Sequence, residues 1–256
     1  MNPPAALTTR GDTIVFPKPL IRARIVRRPN RFIIDADLDG AEVACHCPTT
    51  GRIGNLVLDG LDCLLSPSHN PARKTPYTVE AVSVDAPGTA RPAWIGINQN
   101  AANRYVEQAL VHHLLPDIVA AHSVLREQTL GASRLDFLVD DTYVEVKTPL
   151  DHLQVTLGEH VRTRPRPPLA STDRLVKHIG ELGHSLKSHQ RAVLLVCFLY
   201  DNPGFRVQAS SHHDEVHSTV AQAVRDGVEI WQVNFRLNAS GVRVARYCDL
   251  TSQFLA

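Results

Sequence analysis

The chain has 256 residues, 27 Lys and Arg against 26 Asp and Glu, and a formal net charge of +1, so no global basic field advertises nucleic acid and any such site must be a local patch. A hydrophobic content of 43% supports a real core, and the length allows one large domain or two smaller ones. No apolar run nears the ~18 residues that span a bilayer, no signal-peptide core follows Met1, and five cysteines form no disulfide framework, so the expectation is a cytoplasmic protein without membrane contact.

Residues 1–20 are polar, proline-bearing and weakly patterned, and read as an N-terminal extension. Residues 21–86 hold short alternating runs at 21–26, 31–38, 42–46, 55–58, 62–66 and 78–84, with turns at Asp39-Gly40 and Asp59-Gly60. About five strands in ~65 residues predict a small β-barrel. Residues 86–92 read as a linker. Beyond it the period changes. Ala102, Val106, Ala109, Leu110 and Leu114 predict a helix over 98–115, and a strand is expected at 119–125. A hairpin follows at 134–147, then an irregular stretch, 148–172, with Arg162, Arg164 and Arg166 among prolines. Thr172 or Asp173 caps a helix running to about 189. The apolar run 191–200 suits a central strand. An amphipathic helix at 216–226 and strands at 229–236 and 242–247 complete a domain of residues 87–256, α/β in class and α+β for the chain as a whole.

The hairpin carries the chemistry. With Asp140-Asp141 as a two-residue turn, Asp136 lies opposite Glu145 and Arg134 opposite Lys147. Leu135, Phe137, Val139, Val144 and Val146 point the other way. Two facing carboxylates repel, and a hard divalent cation, Mg²⁺ or Mn²⁺, removes the repulsion. Lys147 shares their face, where an ammonium orients water or offsets charge on a phosphate. The bland alternative is a solvated charged face. Leu138 and Tyr143 on the same face argue against open solvent.

The spacing Asp-x8-Glu-x-Lys resembles the core of the PD-(D/E)XK nucleases. Further motifs, in order, are Arg31-Phe32, His46-Cys47-Pro48-Thr49-Thr50-Gly51, Arg73-Lys74-Thr75-Pro76-Tyr77-Thr78, Asn98, Asn103-Arg104, Ser133-Arg134-Leu135-Asp136-Phe137, Tyr143-Val144-Glu145-Val146-Lys147, Lys177-His178, Glu181-Leu182 and Gly227-Val228-Glu229-Ile230. Together they resemble the sugar fermentation stimulation protein A family over roughly residues 22–250. The resemblance implies an N-terminal OB-like barrel that binds nucleic acid, then a PD-(D/E)XK restriction-endonuclease-like α/β domain. It implies Asp136, Glu145 and Lys147 as catalytic residues, with Asp136 and Glu145 holding Mg²⁺ or Mn²⁺ beside the Val146 carbonyl. Two departures stand out. Gln108 occupies a helix position where the family has Glu, and Pro167-Pro168-Leu169-Ala170 replaces a segment containing Asp.

Candidates for nucleic-acid contact are Arg22, Arg24 and Arg31 on the first barrel strand, Thr50 and Arg52 in a turn, Arg73-Lys74, Arg134, and Arg174 with Lys177 three apart on a helix. His178, one residue off that helix face, has a minor role. Cys45-His46-Cys47 lacks the wider ligand spacing of a zinc site. Two functions stay open: a metal-dependent nuclease acting on DNA or RNA, and a non-catalytic DNA-binding regulator of sugar (maltose) utilisation genes. The sequence also leaves a homodimer open.

Overall fold

Period-two alternation in the first third of the chain makes strands. The structure is a computed structural model describing residues 7–130, 133–165, 173–205 and 213–255. Strands β1 (Thr8–Arg10) and β2 (Thr13–Val15) precede β3 (Ile21–Arg27), β4 (Ile33–Leu38), β5 (Ala41–His46), β6 (Asp62–Pro67), β7 (Tyr77–Val82) and β8 (Ile95–Gly96). Strands β3 to β7 run in the order β5-β4-β3-β6-β7, and Cys45 and His46 of β5 pair in parallel with Tyr77 and Thr78 of β7. This closure makes an OB-like five-stranded barrel. Ala23, Ile25, Ile34, Ala36, Cys45, Cys63 and Val79 are buried within it, while Arg22 and Arg24 point outward from the intervening positions of β3.

The second domain begins with α1 (Gln99–Val111), followed by β9 (Val124–Leu130), β10 (Ser133–Val139), β11 (Thr142–Lys147), α2 (Asp173–Ser185), β12 (Arg191–Phe198), α3 (His213–Arg225), β13 (Glu229–Leu237), β14 (Gly241–Asp249) and a 3₁₀ turn over Thr251–Phe254. Its sheet has the order β1-β2-β14-β13-β12-β11-β10-β9. Strands β11, β12 and β13 are parallel neighbours, which requires both sheet faces to be covered. One face packs Leu194, Val196 and Ile230 against Ile179 and Leu182 of α2 and Val220 and Val224 of α3. The other packs Phe137, Val144, Val193, Leu195 and Phe235 against Ala102, Tyr105, Val106 and Ala109 of α1.

The barrel joins this sheet at Gly96, whose N–H donates to Leu199 O at 2.8 Å. A Cβ there would meet the Leu199 Cβ at 2.5 Å, so the approach needs glycine. Asn98 then caps α1, its side chain accepting from Ala101 N at 3.2 Å.

Five expectations change. Residues 8–15, assigned to the extension, are strands, and β2 pairs with β14. Residues 55–58 are no strand: Leu56 makes an isolated bridge with Thr163, and Val57 N donates to Arg162 O, tying this segment to the irregular stretch instead of the barrel. Strand β8, just past the linker expected at 86–92 and inside the expected second domain, pairs with β7 of the barrel. The strand expected at 119–125 begins at Val124, because Ile118, Val119 and Ala121 are buried as a turn-rich approach to it. Helix α2 ends at Ser185, where Ser185 Oγ donates to Leu182 O and the chain turns.

Candidate active site

The hairpin adopts the expected register at its tip. Val139 pairs with Thr142, Leu138 with Tyr143 and Phe137 with Val144. Asp140 takes φ 50°, as a tight two-residue turn requires, and its carboxylate accepts from the His122 and Ser123 amides. The regular ladder stops where the carboxylates begin. Asp136 N donates to Glu145 Oε2 at 3.3 Å, and Val146 N donates to Asp136 Oδ2 at 2.9 Å. Side chains thus replace the backbone rungs. On the other flank, β9 opposes Asp136 with Glu127, a residue at φ 53° and outside the paired register. The strand turns at this point, and Leu135 packs with Tyr143 in the core beneath α2, not with Phe137 as expected. The expected Arg134–Lys147 pairing is absent too, since Arg134 instead forms an ion pair with Glu127.

Three more side chains complete the site. Asn103 of α1 donates its Nδ2 to Asp136 Oδ1 at 2.6 Å. Lys147 Nζ donates to Glu145 Oε1 at 2.5 Å and lies 3.0 Å from His178 Nδ1, which also contacts Glu145 Oε1. The two histidine contacts demand opposite protonation of Nδ1, so the ring satisfies one of them at a time. Glu145 is 2% exposed and the Lys147 side chain 26%, so the lysine forms the accessible edge of a buried acid. A cavity of about 470 Å³ opens over these groups, lined also by Gln99, Pro149, Leu194, Val196, Phe205 and Ile230.

Burial, then the facing Glu145 carboxylate, push the Asp136 pKa above its ordinary value, against the hydrogen bonds from Val146 and Asn103. A cation would relieve that strain. The donor set fits a hard divalent ion: two carboxylates, and the Val146 carbonyl, which in a strand faces the same side as the Val146 N–H bonded to Asp136. Among the described residues no group of three or more His, Cys, Asp and Glu could hold a metal, so water or substrate oxygens would have to fill the remaining positions.

Sequence reasoning gave Asn103 no role and His178 a minor one, because α1 and α2 bring them to Asp136, Glu145 and Lys147 from far along the chain. Gln108 is not among the cavity-lining residues; Gln99 and Asn103 represent α1 there. Helix α2 contains Arg174 and Lys177, whose side chains lie outside the described residues, as do Arg166 and the segment 167–170. Arg22 and Arg24 share Asp62 as their partner, at 2.6 and 3.6 Å. Arg31 covers the Phe32 ring at 4.7 Å, Thr50, Arg52 and Lys74 are exposed, and Arg73 donates to Thr75 and Thr78. Cys45 and Cys47 are buried core thiols, and burial pushes Cys45 up to about 11.

Barrel, mixed α/β sheet and an acidic pair on its hairpin define an OB-barrel protein with a second α/β domain. The chain belongs to the sugar fermentation stimulation protein family. The profile described as "SfsA N-terminal OB domain" matches residues 26–97, and "Sugar fermentation stimulation protein RE domain" matches 100–241. A sugar fermentation stimulation protein homolog of Teredinibacter turnerae is 34% identical over 90% of this chain and 97% of its own length. A homolog of Pseudoalteromonas atlantica is 36% identical over 89% and 95%. The solved structure of Pyrococcus furiosus SfsA in complex with Ca²⁺ shares the fold, with a TM-score of 0.65 at 21% identity, over 90% of this chain and 94% of that one. No described helix is long and apolar enough to cross a membrane.

Proposed function

We propose that the chain is a metal-dependent phosphodiesterase of the PD-(D/E)XK kind, acting on DNA or RNA. The observation that carries this reading is the half-buried Asp136 against the buried Glu145, with Lys147 at the mouth of a cavity. Asp136, Glu145 and the Val146 carbonyl are the groups that would hold Mg²⁺ or Mn²⁺. The Ca²⁺ complex of the Pyrococcus furiosus relative supports a divalent ion. When bound, such an ion lowers the pKa of a water and offsets charge on the phosphate.

The protein's own groups do the rest. Asn103 and the Val146 amide fix the Asp136 carboxylate, so its orientation does not depend on solvent. His178 and Glu145 hold the Lys147 ammonium, which orients a water or stabilises the charge growing on a phosphate oxygen. The outward arginines of the barrel would retain the chain of phosphates by counterion release. Calorimetry with Mn²⁺ tests the site: wild type should bind the ion, and Asp136→Ala should not. Cleavage of single- and double-stranded DNA and of RNA with Mg²⁺ or Mn²⁺ tests the activity. Tight binding of nucleic acid by a wild-type protein that cleaves none of them would put the regulator reading in its place.

A further inference from the structure

A second cleft flanks α1 on another side. Asn103 reaches the acidic cavity, while the next residue, turned ~100° around the helix, reaches this one. The cleft encloses about 240 Å³ between barrel and helix, with Arg73, His69 and Glu80 on the barrel side, Arg104 and Tyr105 on the helix side, and Lys18 at the rim. Its charges are unbalanced in a specific way. Arg73 and Arg104 are both half-buried. Neither has a carboxylate partner among the described residues. Arg22 and Arg191, by contrast, pair with Asp62 and Glu229. Arg73 gives its Nε and Nη2 to the Thr75 and Thr78 hydroxyls at 2.9 and 3.0 Å, which aims the guanidinium without neutralising it.

Glu80, the single carboxylate among the described residues that line the cleft, does not take up this charge. It is buried, and its two oxygens accept from Ser66 Oγ at 2.6 Å and Asn98 Nδ2 at 2.8 Å. Neutral donors satisfy the acid, so neither guanidinium meets a counter-charge in the cleft. A partly desolvated guanidinium gains most from an oxyanion that takes two of its N–H groups at once. The volume suits a phosphate with some of its water.

We propose that this cleft is a phosphate-binding site, with Arg104 and Arg73 as its principal ligands and Lys18 adding charge at the rim. It requires no metal and stands independently of the acidic site. The phosphate belongs either to a nucleic-acid backbone or to a small phosphorylated molecule.

Calorimetric titration of the full chain with inorganic phosphate in EDTA tests the site. Saturable binding is expected, weakened about tenfold or more by Arg104→Gln or by Arg73→Gln, in line with the loss of a charge-assisted bidentate contact. Asp136→Asn should leave it unchanged, which separates this site from the catalytic reading. Arg104→Lys, which keeps the charge, should restore part of the affinity and guards against a folding defect in the Gln variant. Thermal melts of every variant show which ones are folded. No binding by wild type, or equal binding by folded Arg104→Gln protein, overturns the proposal. A 5′-phosphorylated oligothymidylate then names the source. Displacement of phosphate, with oligonucleotide affinity also dependent on Arg104, assigns the backbone; failure to displace it assigns the small molecule.

Discussion

Asp136→Asn should make the metal-free protein more stable at neutral pH, although it removes a proposed catalytic group. Burial and the Glu145 carboxylate push the Asp136 pKa up. An acid raised in this way favours the folded state least where it must be ionised. Its cost begins as pH rises past the unfolded carboxylate value of ~4 and is complete above the folded value. Two unit charges ~5 Å apart at an effective dielectric of ~20 repel by about 3 kcal/mol, which sets the scale for two carboxylates brought together on one hairpin. The bonds from Asn103 and Val146 offset part of this, and an asparagine keeps an acceptor for the Val146 amide. A net gain of about 1–2 kcal/mol remains, on the usual worth of hydrogen bonds. For a chain of this size that raises Tm by roughly 2–8 °C. Melts in EDTA at pH 8 should show the gain, and melts near pH 4 should show it shrinking. Mn²⁺ should then raise the Tm of wild type and not of the variant. A Tm for Asp136→Asn equal to or below that of wild type, at pH 8 in EDTA, refutes the reasoning.

The Lys147→Ala protein should fold and keep its metal, since lysine is no ligand, while phosphodiester cleavage falls ~10²-fold or more in a gel assay. His178→Ala should leave Mn²⁺ affinity within a few-fold of wild type in calorimetry and lower cleavage by about tenfold through loss of Lys147 positioning. Asp62→Asn releases both Arg22 and Arg24, so oligonucleotide affinity and its salt dependence should rise in fluorescence titrations. Arg22→Ala with Arg24→Ala should lower both for all sequences alike. Gly96→Ala forces a Cβ onto Leu199 at the joint between barrel and sheet, and denaturant melts should show a loss of about 1–3 kcal/mol.

The acidic pair was legible because the residues that make it are neighbours in sequence. A two-residue Asp140-Asp141 turn fixes the register, and the register fixes which side chains face each other. The apolar run at β12 was equally plain, since a central parallel strand has no polar face. What failed had no local signature. Asn103 and His178 reach the hairpin from helices whose docking depends on the whole sheet. Strand β9 is an edge strand with polar residues on both sides, so alternation does not mark it out from Val119 and Ala121 before it. Leu135 changed cores because the strand turns at Asp136, opposite a residue with positive φ, which no hydrophobic pattern records.

The hairpin of β1 and β2 closes the far edge of the site-bearing sheet against β14, more than two hundred residues later in the chain. The whole barrel is therefore an insertion, held between the first strands of the second domain and the remainder of it. Synthesis from the N-terminus delivers β1 and β2 with no sheet to join, then a barrel whose strands pair among themselves and with β8. The hairpin has no sheet to dock on until β14 is made. Its docking covers the edge of β14 and shields its backbone from another chain. Damage to these few residues would leave every proposed catalytic group in place and still unlock an edge for association between molecules.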